Sequence, residues 1–135
     1  GPEDSKYCEE LHKLQAKFDR FMAALPENPE HADAWNFMKD KGLTPSIKQE
    51  WFEAIMAKLI PDPNAYEEDS EEKELDAKDL HDALLSVIGA EKLQGFHPYR
   101  ATGGLFGGAV DLFTPNDDRD ETSYGKLLND LLREL

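Results

Sequence analysis

The sequence predicts an all-α protein of about six helices that pack as antiparallel neighbours. Apolar residues recur at intervals of three and four along most of the chain, which is the spacing of one helix face. No segment alternates apolar and polar residues with the period of two that a half-buried strand requires. Prolines, glycines and capping residues divide the chain into segments joined by short loops, which favours helices that pack against their sequence neighbours.

The first two helices are predicted over residues 5–25 and from Asp33 onward. The first must end before Pro26 and Pro29, because proline lacks the amide hydrogen that continues a helix. Asp33 is the predicted N-cap of the second helix, and Gly42 is its predicted stop. The apolar face of the first helix consists of Tyr7, Leu11, Leu14, Phe18, Phe21 and Leu25, and is widened by Met22.

Two further helices are predicted on either side of an acidic connection. Thr44 is the predicted cap of the third helix, and Pro45 is predicted at its first position, where a missing amide hydrogen costs nothing. Pro61 ends that helix. Asp76 caps the fourth helix and Gly89 ends it. The apolar positions of the two helices are Ile47, Trp51, Phe52, Ile55, Met56 and Leu59, followed by Leu80, Leu84, Val87 and Ile88.

The end of the chain is predicted to be a separate helix-loop-helix, so that the helices form two small lobes. Residues 90–104 contain a proline and three glycines and are predicted to be a linker. They would join an N-terminal helical lobe, residues 3–89, to a C-terminal unit, residues 105–135. In that unit a short helix is predicted over residues 105–113, and Ser123 is the predicted cap of the last helix.

The charge of the chain restricts its partners. The 135 residues include 29 acidic and 15 basic side chains, which gives a formal net charge of -14 at pH 7. Long-range repulsion argues against nucleic acid or an anionic membrane surface as the main partner, and favours a cationic one. No apolar segment approaches the roughly 20 residues of a membrane span, so membrane insertion is not expected.

The single cysteine and the lack of a visible signal peptide favour an intracellular, reducing compartment, so a cytoplasmic protein is expected. Cys8 is the single cysteine, which excludes an internal disulfide and any multi-cysteine metal site. Residues 1–2, Gly-Pro, are interpreted as the remnant of a cleaved tag. Association with the cytoskeleton is the narrower form of the cytoplasmic expectation.

Three loop-to-helix joins share one pattern. Each has a small or apolar residue, a capping residue, and an apolar residue four positions after the cap. The caps are Asp33, Asp76 and Ser123, which lie 43 and 47 residues apart. One interpretation is a repeated helix-loop-helix unit. The other is that any amphipathic helix begins in this way.

On these joins, and on Leu43-Thr44-Pro45, the chain resembles the EF-hand superfamily, in the manner of calmodulin-like proteins and myosin light chains. The best stretches are residues 18–38, 44–88 and 112–132. The resemblance implies degenerate helix-loop-helix units, two of them in the N-terminal lobe. It also implies a regulatory subunit that clasps a helix of a larger protein.

The loops depart from the pattern that binds calcium. A working loop needs oxygen ligands at positions 1, 3 and 5, glycine at 6 and a bidentate glutamate at 12. The first loop has Leu25 at position 1 and Asn36 at position 12, and the third has Lys126 at position 12. The second loop, residues 68–79, is rich in acid but has Lys73 in place of glycine. We therefore expect no metal site and no cofactor, and binding that does not switch with calcium.

No constellation of residues indicates an enzyme. Cys8 is flanked by acidic residues, which disfavour a reactive thiolate. The glycine-rich residues 103–108 lack the Gly-Lys-Ser/Thr ending of a phosphate-binding loop. The histidines have no metal-ligand spacing and are predicted to be exposed or at helix edges; they are His12, His31, His81 and His97.

The candidate binding residues are aromatic, methionine and acidic side chains. The aromatic and methionine residues on adjacent helices have two interpretations. Either they form a core alone, or they form a core together with a groove that receives a helix. The acidic run is interpreted either as a solvated loop or as a guide for a basic partner. The predicted groove consists of Phe21, Met22, Phe37, Met38, Trp51, Phe52, Ile55 and Met56, and the predicted guide consists of Glu67, Glu68, Asp69, Glu71 and Glu72.

These observations favour a non-enzymatic module that clasps a basic amphipathic helix of a larger protein. The alternative is a small acidic inhibitor or immunity-type protein, which would block a basic active site or a nucleic-acid groove. The two differ in their competitor. An isolated helix displaces the first, whereas nucleic acid displaces the second.

Overall fold

The computed structural model describes residues 2–44, 48–59, 74–100 and 120–135, and most of them are helical, as predicted. Two 3₁₀ turns connect the first two helices, and two short strands pair antiparallel with Tyr99 opposite Glu121. The elements are α1 (Pro2–Ala24), the 3₁₀ turns (Leu25–Glu27 and Pro29–His31), α2 (Ala32–Asp40), α3 (Lys48–Leu59), α4 (Ala77–Ile88), β1 (Tyr99–Arg100), β2 (Asp120–Glu121) and α5 (Ser123–Glu134).

Helix α5 lies at the centre of the packing. Its residues Leu127, Leu128 and Leu131 are fully buried. Helices α1, α2 and α4 and the second 3₁₀ turn all contact it, and α3 packs along α4. The Phe52 ring of α3 also lies 5.5 Å from the Phe18 ring of α1. The described parts of the predicted N-terminal lobe and C-terminal unit therefore share one core.

Several predicted helix boundaries are confirmed. Helix α1 ends at Ala24, directly before the turn that contains Pro26. Asp76 caps α4 through a capping box, in which it exchanges hydrogen bonds of 3.1 Å with Asp79. Gly89 follows α4 with φ +103°, a backbone conformation that glycine adopts without strain.

The predicted caps of α2 and α5 are wrong. Helix α2 follows directly from the second 3₁₀ turn, so Asp33 lies inside its first turn and no side chain of its own segment caps it. Instead the Ser123 hydroxyl accepts a hydrogen bond of 3.1 Å from the Ala34 amide and donates one to the Glu30 carbonyl. Thr122 caps α5, because its hydroxyl accepts from the Gly125 amide at 3.0 Å.

The strand pair holds the segment before α5 against the predicted linker. Two residues are too few for the sequence to show a period-two pattern, so the strands were not predicted. The Thr122 amide donates to the Pro98 carbonyl at 3.0 Å beside the pair. A Cβ atom at Gly125 would lie 1.8 Å from that same carbonyl oxygen. Glycine is therefore required at this close approach of two backbones.

Some predictions fall outside the described residues. They include Pro45 and Ile47 at the predicted start of the third helix, Pro61, the acidic run from Glu67 to Glu72, the glycine-rich residues 103–108 and the helix over residues 105–113. Among the helices that are described, none combines the length and the apolar character that crossing a membrane would require.

Candidate functional site

The structure distributes the predicted groove residues between the core and its edge. Phe37 is 38% exposed, and Phe21 and Met56 pack partly buried against the core. A partner can reach Phe37 in this conformation. A groove that used all eight predicted residues would require the helices to separate. That groove stays a prediction. The other five residues are buried, namely Met22, Met38, Trp51, Phe52 and Ile55.

The first half of α1 has an apolar face that the described core does not cover. Tyr7 is 37% exposed and Leu11 is partly buried, whereas Leu14 on the same face is buried. A cleft of about 400 Å³ lies beside this face. We name it the N-terminal cleft; it is lined by Lys6, Tyr7, Glu10, Leu14, Leu59 and Leu135.

A buried histidine joins the second 3₁₀ turn to α5. His31 is only 1% exposed, and its Nε2 atom lies 2.7 Å from the Asp130 Oδ2 atom. The prediction that His31 is exposed or at a helix edge is therefore wrong. The turn ends against α5, and the Phe21 ring lies 5.8 Å from the imidazole. Within the described residues the His31 Nδ1 atom has no hydrogen-bond partner.

Asp130 is held as a carboxylate by its neighbours. Burial opposes its ionisation, but hydrogen bonds from His31 and Arg133 and the nearby charge of Lys126 outweigh it, so the pKa of Asp130 lies below its ordinary value. The Lys126 Nζ atom lies 3.9 Å from Asp130 and 3.6 Å from the Glu30 carboxylate. This cluster ties the second 3₁₀ turn to α5.

The same cluster has the composition of a metal site. Ligand atoms of Glu30, His31 and Asp130 lie within 4.8 Å of one another. However, the Lys126 ammonium contacts both carboxylates and supplies the positive charge that a cation would bring. A metal ion would have to displace it. We therefore interpret the cluster as an ion-pair network that stabilises the fold.

A second cleft, of about 520 Å³, opens beside this network. Three of the residues that line it are basic, although the chain as a whole is strongly acidic. Sequence reasoning missed this cleft. Lys17 and Arg20 lie three residues apart on one face of α1. The α5 residues that line the same cleft lie more than 100 residues away in the sequence. We name it the cationic cleft; its polar lining includes Lys17, Arg20, Asn28, His31, Asp130 and Arg133.

His81 and Tyr124 form a neutral pair between α4 and α5. The His81 Nδ1 atom lies 2.7 Å from the Tyr124 hydroxyl, and the rings meet edge to face. Burial, and to a lesser extent His97, lowers the pKa of His81 against the opposing charge of Asp82. Burial raises the pKa of Tyr124. The tyrosine therefore donates to a neutral imidazole, and the pair joins α4 to α5.

No protein-family model matches this chain, and neither a curated protein nor a solved structure matches it. Within the described residues, the N-terminal cleft and the cationic cleft are features from which a function can be inferred.

Proposed function

We propose that this protein is a non-enzymatic binding module that receives a basic amphipathic helix of a larger protein in its N-terminal cleft. The observation that carries the proposal is the apolar face of α1 that the described residues leave uncovered. Tyr7 and Leu11 continue the face that Leu14 buries in the core. Leu59 of α3 and Leu135 after α5 form the other apolar walls. An amphipathic helix is the partner that such a groove receives, through apolar residues repeated on one face.

The length of the exposed face suits a short helical contact. Residues 5–14 span roughly 15 Å at the α-helical rise. That length accommodates about three anchors, spaced three or four residues apart on the partner. We expect the anchors to be large apolar side chains that pack between Tyr7 and Leu59.

The charge of the whole molecule supports a basic partner. The net charge of -14 would steer a cationic helix toward the protein and accelerate association at low salt. The cleft itself carries both Lys6 and Glu10, so charge would set the rate of encounter and apolar packing would set the affinity. In line with the EF-hand resemblance, we propose that binding is constitutive and independent of calcium.

The test is the binding of a synthetic amphipathic helix of leucine and lysine, about 18 residues long so that its anchors span the cleft. Fluorescence anisotropy would give its affinity at two salt concentrations, with and without calcium. We expect Leu11→Gln and Tyr7→Gln together to weaken binding roughly tenfold, since each removes buried apolar area. Ala16→Gln, at an exposed position of the same helix, is the matched control.

Three outcomes would contradict the proposal. The first is equal binding of the peptide to the cleft variants and to the control. The second is an absolute requirement for calcium. The third is the same affinity for an acidic peptide of identical apolar pattern, because the partner would then not need to be basic.

A further inference from the structure

We propose that the cationic cleft binds a small organic phosphate. The first reason is the local concentration of positive charge. Acidic side chains outnumber basic ones by 29 to 15 in the chain, yet Lys17, Arg20 and Arg133 all line this one cleft. The two acidic residues that line it are Asp130 and the exposed Glu134.

The second reason is that the charges of two of these cations are not neutralised. Over the described ranges, neither Lys17 nor Arg20 forms an ion pair within 4.0 Å. Asp130, one of the two acidic residues in the lining, is already engaged by His31 and Arg133. The cleft therefore presents uncompensated positive charge to a ligand.

The third reason is that two further lining residues, Asn28 and Arg133, have N–H groups available to donate hydrogen bonds. The Asn28 side-chain oxygen accepts from the Glu30 amide at 3.0 Å, which leaves its NH₂ group available to donate. Arg133 has five N–H groups, of which the bond to Asp130 uses one. Phosphate oxygens accept several such charge-assisted bonds at once, and arginine matches their geometry.

The size and the apolar lining favour an organic ligand over a bare ion. A volume of about 520 Å³ lies in the range of small-molecule sites. Phe21 and Ala24 contribute apolar surface to the lining. The ligand must also be small, because a polyanion such as nucleic acid would be repelled by the net charge of -14.

The experiment is a titration of the whole protein with phenyl phosphate, inorganic phosphate and benzoate, followed by calorimetry and by NMR of the side chains in the cleft. We expect phenyl phosphate to bind most tightly and to shift the resonances of Arg20, Phe21 and Arg133. Arg20→Gln should weaken it roughly tenfold, the effect of losing one charge-assisted contact. Lys13→Gln makes the same change of net charge at an exposed position outside the cleft, and should leave the affinity unchanged.

Each contrary result has a definite meaning. Equal affinity for inorganic phosphate would overturn the organic part of the proposal, and equal affinity for benzoate would overturn the assignment of phosphate. If phenyl phosphate did not bind at concentrations up to about 10 mM, far above the dissociation constant of a specific ligand, the site itself would be overturned. An affinity that Arg20→Gln and Lys13→Gln change equally would also overturn it. The thermal midpoint of both variants without ligand would verify that they fold.

Discussion

At the scale of single residues, the hydrogen bond between His31 and Asp130 joins two parts of the chain that are distant in the sequence. The imidazole is buried, and its hydrogen bond to Asp130 joins residues 99 apart in the sequence. Removing the charged acceptor of a buried donor costs more free energy than the hydrogen bond itself contributes, because the donor is left without a partner. The pair therefore stabilises the position of the second 3₁₀ turn against α5.

Asp130→Asn should lower the free energy of unfolding at pH 7 by about 1–3 kcal/mol, because it weakens the bonds from both His31 and Arg133. Urea denaturation would measure the change. Asp40→Asn, at the exposed end of α2, removes the same charge and should alter the free energy by less than about 0.5 kcal/mol. Equal effects of the two variants would show that the pair does not stabilise the fold.

The Asp130 carboxylate also contributes a dependence on acid. Its folded pKa lies below the ordinary value of 3.8, so its contribution is present above that value and is lost as the pH falls through the folded pKa. Asp130→Asn should therefore reduce the loss of stability below about pH 4.

His81 predicts a second dependence, in a higher pH range. Its folded pKa lies below the ordinary value of 6.5, so the unfolded chain binds more protons between those two values. Stability should be highest above about pH 6.5 and should fall as the pH drops toward the folded pKa. Urea denaturation of the parent and of His81→Asn at pH 7 and pH 5.5 would isolate this contribution. An NMR titration that placed the pKa of His81 above 6.5 would contradict the prediction.

At the scale of elements, α5 stabilises the beginning of α2. The cap of α2 comes from Ser123 on α5, across 89 residues of sequence. We expect Ser123→Ala to lower the free energy of unfolding by about 1 kcal/mol, the usual cost of a lost cap. Asp33→Ala should cost no more than about 0.5 kcal/mol, because an exposed acid in the first turn interacts only with the helix dipole. Chemical denaturation would rank the two, and the reverse order would restore Asp33 as the cap.

The close approach of Gly125 to Pro98 should tolerate substitution less well than the Ser123 cap does. In Gly125→Ala the new methyl group would overlap the Pro98 carbonyl, so the strand pair would have to move away from α5. We expect a loss of at least about 2 kcal/mol, in the range of strongly destabilising substitutions. At Gly42 an added Cβ meets no atom of the described residues within 4 Å, so Gly42→Ala should cost about 1 kcal/mol, from its positive φ. Thermal unfolding of both variants would test the difference, and similar midpoints would contradict it.

At the scale of the whole molecule, the fold was predictable to the extent that its signals are local. The proline that follows α1 and the capping box of Asp76 each lie within a few residues of the boundary they set. The cap by Ser123 and the burial of His31 depend on residues about 90 to 100 positions away, which no local pattern records. For the same reason the basic residues of the cationic cleft were not recognised as one site.

The net charge makes a further whole-molecule prediction. Added salt should raise the thermal midpoint, because it screens the repulsion among acidic side chains. Calcium and magnesium at equal ionic strength should raise it equally, since we expect no calcium site. Tryptophan fluorescence and thermal unfolding would compare them. A rise specific to calcium would contradict this expectation and would point to residues 68–79, the most acidic of the three loops.

The central position of α5 has a consequence for the synthesis of the protein. Synthesis proceeds from the N-terminus, so α1, α2 and α4 leave the ribosome before the helix that their apolar faces contact. Until residues 123–135 emerge, those faces lack Leu127, Leu128 and Leu131 as partners. The nascent chain should therefore remain a client of chaperones until synthesis of this segment is complete, and a ribosome that stalls before Ser123 should yield a product that is readily degraded.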